Sequence, residues 1–181
     1  MKEIALHILD IAENSIAAGA SRVCISVTEE ESKEYQYIRI EDDGKGMSEE
    51  EVRRVSDPFY TSRTTRRVGM GIPLFSQHAE MAGGGLKIHS EKGVGTTVEA
   101  RFQLEHPDRQ PLGDLEGCWL LLVTSNPAIE WELGCETGQG SFSITSSQIR
   151  KELDLDHIRG SELIQDLKRM IRNNLEALGL T

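Results

Sequence analysis

Hydrophobic residues recur every three or four positions in three parts of the chain, at residues 5–18, 72–82 and 161–178. This spacing places the apolar side chains on one face of a helix. A glycine follows each stripe at the point where a helix would stop: Gly19, Gly83 and Gly179. A fourth, shorter helix is predicted to start after Ser48 and to run to about Val55, because the three glutamates that follow Ser48 would occupy its positively polarised first turn.

Strand-like segments follow or separate these helices, and most of them carry apolar residues at every second position. The predicted strands are residues 22–28, 35–41, 86–90, 96–104, 118–124, 129–135 and 141–145. The acidic residues 29–34 and the glycine-containing residues 92–95 are the predicted turns of two hairpins. Residues 57–67 show no periodicity and are predicted to form a loop.

The order of these elements favours an α+β fold, since strands and helices do not alternate regularly. We expect a two-layer α/β sandwich in which helices cover one face of a mixed, mainly antiparallel sheet. Residues 105–114 combine prolines and a glycine with polar residues and are a predicted linker. The linker divides a main domain, residues 1–104, from a small C-terminal α+β extension, residues 115–181, in which strands precede the last amphipathic helix. The extension could pack against the sheet or against a second chain in a homodimer.

Composition and charge exclude several classes of function. The chain has 181 residues and a formal net charge of −10, which opposes a nucleic-acid footprint. The longest apolar run, residues 118–123, is too short to span a membrane, and acidic residues interrupt the N-terminal apolar stretch. A cytoplasmic location without a membrane anchor is therefore predicted. The three cysteines are predicted to be ordinary buried thiols, because their number and spacing fit neither a disulfide framework nor a zinc site.

Two polar residues of the first predicted helix, Asp10 and Asn14, lie four positions apart and therefore share one face. A carboxylate and a carboxamide one turn apart can hold a water and a magnesium ion together, because both offer hard oxygen ligands. The same pair is also compatible with an ordinary solvated face. His7, one turn before Asp10, is expected to be solvated or to form a hydrogen bond with Asp10.

A second candidate segment, residues 41–47, follows a predicted strand and contains Asp42, Gly44 and Gly46. Glycines let the backbone approach a ligand closely, and a fixed carboxylate at a strand end can accept a hydrogen bond from an exocyclic amine such as adenine N6. A plain acidic turn would have a similar sequence.

Positive charge is concentrated at Arg63, Arg66 and Arg67, shortly before residues 69–71 at a predicted helix start. Guanidinium groups and the free backbone amides of a helix N-terminus both favour phosphate oxygens. The same charges could also belong to a solvated loop. Further along the chain, residues 93–97 supply a tight turn and two hydroxyl groups at the start of a strand.

Together these segments resemble the nucleotide site of the GHKL ATPase superfamily, which contains DNA gyrase B subunits, the ninety-kilodalton heat-shock chaperones, histidine kinases and MutL. The segments that carry the resemblance are residues 10–15 (Asp-Ile-Ala-Glu-Asn-Ser), 42–46 (Asp-Asp-Gly-Lys-Gly), 57–61 (Asp-Pro-Phe-Tyr-Thr), 69–71 (Gly-Met-Gly) and 95–96 (Gly-Thr). The first helix is most similar to the MutL branch, and residues 58–62 are most similar to the kinase branch. The resemblance covers about residues 1–104 and implies a Bergerat-type, histidine-kinase-like ATP-binding fold.

The resemblance implies that ATP and magnesium bind to these segments. Asp42 would accept a hydrogen bond from the adenine amine, Thr96 would support that contact through a water, and Gly44 and Gly46 would admit the base. Asn14 would ligate magnesium on the triphosphate. Further nucleotide contacts are expected from Met47, Phe59, Thr61, Arg63, Arg67, Gly69, Met70 and Gly71, with residues 61–68 forming a lid.

Asp10 takes the position at which the hydrolysing members of the superfamily carry the glutamate that activates the attacking water. Because aspartate is one methylene shorter, its carboxylate would fall about 1 Å or more short, and a displacement of this size can cost about a hundredfold in rate. The resemblance therefore implies slow hydrolysis with Asp10 as the base.

The resemblance also implies what the whole protein would do with ATP. The first motif begins almost at Met1, so no room is expected for the dimerisation helices and phosphoacceptor histidine of a complete histidine kinase. The chain could instead hydrolyse ATP slowly or phosphorylate an unidentified partner protein, as the anti-sigma serine kinases of this superfamily do. The alternative is a nucleotide-gated protein-binding module, in which ATP orders the lid and the extension and catalysis is incidental.

Overall fold

The computed structural model describes residues 3–29, 34–56, 71–152 and 160–180. Within these ranges the helices are α1 (Ile4–Ala17), α2 (Glu49–Ser56), α3 (Gly71–Met81), α4 (Leu115–Ser125), α5 (Ser146–Glu152) and α6 (Ser161–Ala177). The strands are β1 (Arg22–Glu29), β2 (Tyr35–Asp42), β3 (Gly85–Glu91), β4 (Gly95–Gln103), β5 (Glu130–Thr137) and β6 (Gly140–Thr145). The four helices predicted from the sequence and six of the seven predicted strands are confirmed.

The strands form one mixed sheet in the order β3-β4-β2-β1-β5-β6. Neighbouring strands are antiparallel, except that β1 and β5 are parallel. Alternate residues of β1, namely Val23, Ile25 and Val27, are fully buried in one core with residues of α1, α3, α4 and α6. The residues between them, such as Cys24 and Ser26, are only half-buried and belong to the opposite side of the sheet, called the open face here. The predicted α+β sandwich with a mainly antiparallel sheet is confirmed.

The segment 118–124 was predicted to be a strand, and this prediction was wrong: residues Leu115–Ser125 form helix α4. Nearly every position of the segment is apolar, so its periodicity does not distinguish a buried strand from a buried helix. The side chain of Asp114 caps the helix by accepting a hydrogen bond from the Gly117 amide at 3.0 Å. Helix α4 contacts α1, α6 and β5, and these neighbours explain why apolar residues are needed on most of its surface.

The predicted linker, residues 105–114, contacts the first helix through its backbone. The amides of Ile4 and Ala5 donate to the carbonyls of Pro111 and Leu112 at 3.0 and 2.8 Å. Strand β5 then pairs with β1, so the described residues 115–152 and 160–180 contribute to the same sheet and hydrophobic core as the residues before them. Of the two arrangements left open for the extension, packing against the sheet is therefore observed. The boundary itself stays a prediction.

The core of the C-terminal part contains both tryptophans, Trp119 of α4 and Trp131 of β5, which are fully buried. Cys118 and Cys135 are also buried, whereas Cys24 is only half-buried on the open face. Across the described ranges, no helix combines the length and the apolar character that crossing a membrane requires.

Candidate functional site

Asp42 is the last residue of β2, and two hydrogen bonds fix its carboxylate. The Ser15 hydroxyl of α1 donates to Oδ2 at 2.6 Å, and the Gly44 amide donates to Oδ1 at 2.9 Å. Ser15 is almost fully buried, whereas Asp42 is partly exposed. Each carboxylate oxygen has a second lone pair, so the oriented group can accept further hydrogen bonds from a ligand.

Two glycines allow three chain segments to meet beside Asp42. Gly46 has a φ of +62°, and a Cβ atom there would lie 1.9 Å from the backbone oxygen of Glu91. Gly95 has a φ of +144°, and a Cβ atom there would lie 2.0 Å from the backbone oxygen of Asp42. No side chain can be built at either position without moving backbone, so these glycines are required by the close packing of the turn before β4 against the loop after β2.

The opposite side of the same loop contacts the end of α1. A Cβ atom at Gly44 would lie 2.9 Å from Cβ of Ala18, and the Lys45 amide donates to the Ala18 carbonyl at 3.0 Å. On the other side, the Gly93 amide donates to the Lys45 carbonyl at 2.7 Å. The loop is thus held between α1 and the β3–β4 turn. This packing accounts for Gly44 and Gly46, and their expected role of admitting a base stays a prediction.

Thr96, the second residue of β4, is the register partner of Asp42 on β2. Side chains of directly paired residues in neighbouring strands lie side by side on the same face. The Thr96 hydroxyl oxygen lies 2.8 Å from the Ser90 hydroxyl oxygen, and Ser90 also accepts a hydrogen bond from the Met47 amide at 2.8 Å. The structure therefore brings Asp42, Thr96 and Met47 together and adds Ser90, which the sequence analysis missed. Their roles toward a nucleotide stay predictions.

Asp10 and Asn14 lie on the α1 surface that continues from Ser15. A Cβ atom built at Gly71 would lie 3.2 Å from Cβ of Asp10, so Asp10 adjoins the first described turn of α3. Asn14 is partly exposed and directly precedes Ser15 in the helix. Asp10 is exposed, and the desolvation of its carboxyl by neighbouring groups raises its pKa above the ordinary value, because desolvation disfavours the charged form. Asp10, Asn14 and Ser15 thus extend from the start of α3 to the Asp42 carboxylate.

His7 is fully buried, so both expectations for this residue, solvation and a hydrogen bond to Asp10, were wrong. Its ring stacks on Phe75 of α3 with centroids 5.0 Å apart, and its Nε2 lies 3.1 Å from Oε1 of Gln110 and 2.8 Å from Nδ1 of His78. Burial, together with the nearby His78, lowers the pKa of His7 to about 4. His7 is therefore a neutral residue of the α1–α3 interface.

Six predicted nucleotide contacts lie outside the described residues: Phe59, Thr61, Arg63, Arg67, Gly69 and Met70. The same is true of the predicted lid, residues 61–68. Their roles stay predictions.

An open cavity of about 840 Å³ lies at this end of the sheet. Its lining includes Asp42, Ser90, Gly95 and Thr96, together with open-face residues such as Cys24 and Glu132, but neither Asp10 nor Asn14. A volume of this size can accommodate a small-molecule ligand. In the part of the chain that the structure describes, no group of three or more histidine, cysteine or acidic side chains could hold a metal ion.

Comparison with solved structures supports the fold described above. A structure described as the N-terminal domain of a DNA repair protein is similar to this chain with a TM-score of 0.55 and 15% sequence identity, covering 80% of this chain and 52% of that one. At this identity the similarity concerns the fold alone.

The class of protein is defined more closely by sequence: residues 2–106 match the family model described as histidine kinase-, DNA gyrase B-, and HSP90-like ATPase. The match covers more than half of the chain, which therefore belongs to this family.

Curated relatives match part of this chain. Sporulation kinase C of Bacillus subtilis is 26% identical over 97 residues, covering 54% of this chain and 22% of that protein. The sensor histidine kinase RcsC of Escherichia coli is 29% identical over 107 residues, covering 54% of this chain and 11% of that protein. The autoinducer 2 sensor kinase/phosphatase LuxQ of Vibrio cholerae is 28% identical over 144 residues, covering 70% of this chain and 17% of that protein. The chain thus spans less than a quarter of each of these relatives.

Proposed function

We propose that this chain binds ATP with magnesium at the Asp42 end of the sheet and acts as a regulatory protein. The observation that carries the proposal is the Asp42 carboxylate, which Ser15 and Gly44 hold in one orientation within a domain of an ATPase family. An ionised carboxylate only accepts hydrogen bonds, so it selects a ligand atom that donates. The exocyclic amine of adenine is such a donor.

The residues of α1 fit the other end of a nucleotide. Magnesium keeps several waters and is commonly held by one or two protein oxygens together with substrate phosphates. The Asn14 carboxamide, partly exposed and one residue before the Asp42 contact Ser15, would supply the protein oxygen. Gly71 and the residues before it would line the phosphate side, which also borders Asp10.

Asp10 would accept a proton from the group that attacks the terminal phosphate. A raised pKa strengthens a carboxylate as a base near neutral pH, since a general base is most effective when its pKa lies close to the operating pH. The attacking group would be water in a slow ATPase, or a hydroxyl group of a partner protein in a kinase related to the anti-sigma serine kinases. The names of the curated relatives, which are sensor or sporulation kinases, support phosphoryl transfer as the reaction class.

One observation favours a second candidate function. The carboxylate beside Gly71 belongs to an aspartate, which is shorter than the glutamate expected for efficient hydrolysis. A chain that binds ATP and turns it over slowly could act as a nucleotide-gated module whose partner surface forms only when ATP is bound.

Calorimetric titration with magnesium ATP tests the binding proposal. Replacing Asp42 with Asn keeps the shape of the side chain but removes the charge, and we expect binding to weaken by roughly 1.5 to 3 kcal/mol. Glu99→Gln is the matched control, because it removes one carboxylate from the open face of β4, opposite the buried Val98. Equal affinities of Asp42→Asn and Glu99→Gln would contradict the site.

Phosphate release from magnesium ATP separates the two candidate functions. Release that disappears in Asp10→Ala while ATP still binds supports an intrinsic ATPase. Phosphorylation of an added partner, again dependent on Asp10, supports a kinase. A partner protein that binds the chain equally well in the presence of ATP and of a non-hydrolysable analogue, with no ATP turnover, supports the nucleotide-gated module.

A further inference from the structure

Ser90 is the penultimate residue of β3, and its hydroxyl group lies within hydrogen-bond distance of three polar groups. It accepts a hydrogen bond from the Met47 amide at 2.8 Å and donates one to the Gly95 carbonyl at 3.0 Å. The third neighbour is the Thr96 hydroxyl oxygen, 2.8 Å away. Ser90 therefore joins the loop after β2 to the first two residues of β4.

The number of available hydrogens decides the direction of the Ser90–Thr96 hydrogen bond. A serine hydroxyl has one hydrogen and two lone pairs. The Gly95 carbonyl can only accept, so the single Ser90 hydrogen is used for that contact. Both Ser90 lone pairs then accept, one from the Met47 amide and the other from the Thr96 hydroxyl. With this arrangement all three contacts are satisfied, and the Thr96 hydrogen points to Ser90 and away from a ligand.

A Thr96 hydroxyl fixed in this way presents only lone pairs to a ligand. Thr96 is the register partner of Asp42, whose carboxylate is also an acceptor. A single water bonded to both groups would donate its two hydrogens to them and could itself only accept. The ligand atom that faces Asp42 and Thr96 must then be a hydrogen-bond donor, whether the contact with Thr96 is direct or through one water.

We propose that Ser90 is a positioning residue which sets base specificity by holding the Thr96 hydroxyl as an acceptor. The inference rests on the proposed nucleotide site and extends it to the choice of base. A purine with a 6-amino group donates to both acceptors. A purine with a 6-keto group places a third acceptor against the lone pairs that Asp42 and Thr96 turn to the ligand, so none of these facing groups supplies a hydrogen for the contact.

The test compares ATP with inosine triphosphate, which carries the 6-keto group in place of the 6-amino group. The quantity measured is the ratio of their two affinities, obtained by calorimetry with magnesium present. We expect the preference for ATP to fall about tenfold in Ser90→Ala, since one hydrogen bond to a freed hydroxyl is worth about that factor. The freed Thr96 hydroxyl can rotate and donate to the 6-keto oxygen.

Two control variants separate this role from a general loss of structure. Ser90→Thr keeps the hydroxyl group and should keep the preference for ATP. Ser26→Ala removes a half-buried hydroxyl from the open face of β1 and should also leave the ratio unchanged. A destabilised loop after β2 would weaken both nucleotides together and would not change their ratio.

Thr96→Val supplies a second measurement if Ser90→Ala does not fold. It removes the hydroxyl group while keeping the shape, so we expect ATP to bind more weakly and inosine triphosphate to bind as before. In the Thr96→Val background, Ser90→Ala should no longer change the ratio, because Ser90 acts through Thr96. An unchanged ratio in Ser90→Ala, or weaker binding of inosine triphosphate to Thr96→Val, overturns the assignment of Ser90. A wild-type chain that binds neither nucleotide overturns the proposed function and this inference together.

Discussion

The Ser15 hydroxyl on α1 donates a 2.6 Å hydrogen bond to the Asp42 carboxylate at the end of β2. This contact connects the helix that carries Asp10 and Asn14 with the strand end that carries the proposed acceptor for the base. Because Ser15 is almost fully buried, the hydrogen bond is protected from competing water. The contact therefore fixes both the carboxylate and the position of α1 relative to the sheet.

Removing this hydrogen bond should loosen the carboxylate without removing it. We expect Ser15→Ala to lower ATP affinity by about 0.5 to 1.5 kcal/mol, the usual net contribution of one intramolecular hydrogen bond. Ser125→Ala, at the exposed end of α4, is the control for a serine replaced in a helix. Calorimetry on both variants checks the prediction, and an affinity of Ser15→Ala equal to that of Ser125→Ala would show that Asp42 does not depend on Ser15.

The packing at Gly46 predicts a large effect on stability from one added methyl group. Gly46→Ala places Cβ 1.9 Å from a backbone oxygen at a positive φ, so the free energy of unfolding should fall by about 2 to 5 kcal/mol. Gly93 also has a positive φ of +83°, but a Cβ atom there would have no neighbour within 4 Å among the described residues. Gly93→Ala should therefore lower the free energy of unfolding by only about 1 to 2 kcal/mol, the cost of placing a side chain on a residue with a positive φ. Urea unfolding followed by tryptophan fluorescence measures both, and equal losses would contradict the packing argument.

Local sequence patterns were sufficient to predict most elements of this fold but not their assembly. The alternation in residues 129–135 predicts a strand, yet no local feature indicates that it pairs in parallel with Arg22–Glu29 more than 100 positions earlier. Parallel neighbours need long connections, so hairpin signals cannot reveal them. Residues 118–124 illustrate a second limit, since an apolar run that is buried on most sides has no diagnostic period.

In the candidate site, too, local motifs indicate some of the residues, whereas contacts between distant segments cannot be read from the sequence. Asp42 and Thr96 could be selected as candidates because each lies within a short motif, whereas the hydrogen bonds of Ser15 and Ser90 join them to residues that only folding brings near. Gly44 and Gly46 were interpreted as openings for a ligand and Gly95 as part of a tight turn. The structure shows that Gly46 and Gly95 permit backbone segments to touch. Aligning the two strands of the predicted β3–β4 hairpin residue by residue places Ser90 opposite Thr96. That alignment could have identified Ser90 from the sequence.

Thiol labelling should distinguish the three cysteines. Cys135 is buried, and desolvation raises its pKa to about 12, while Cys24 is only half-buried on the open face. Because the thiolate is the reactive form and must be accessible, we expect Cys24 to react at least about tenfold faster than Cys118 or Cys135 in the native protein. Absorbance with an aromatic disulfide reagent measures the rates. Cys24→Ser should remove the fast phase, and a fast phase that persists in this variant would contradict the burial of the other two thiols.

Protonation of His7 should destabilise the fold in acid. Its pKa is about 4 in the folded chain against 6.5 when unfolded, so the folded state favours the neutral ring. The resulting contribution is present above pH 6.5 and is lost as the pH falls through about 4; the shift corresponds to about 3 kcal/mol in the free energy of unfolding. We expect His7→Phe, which preserves the stack on Phe75, to lose less stability between pH 6.5 and 4 than the wild type. Urea unfolding across this pH range measures the slope, and a slope in His7→Phe equal to that of the wild type would show that His7 does not titrate with folding.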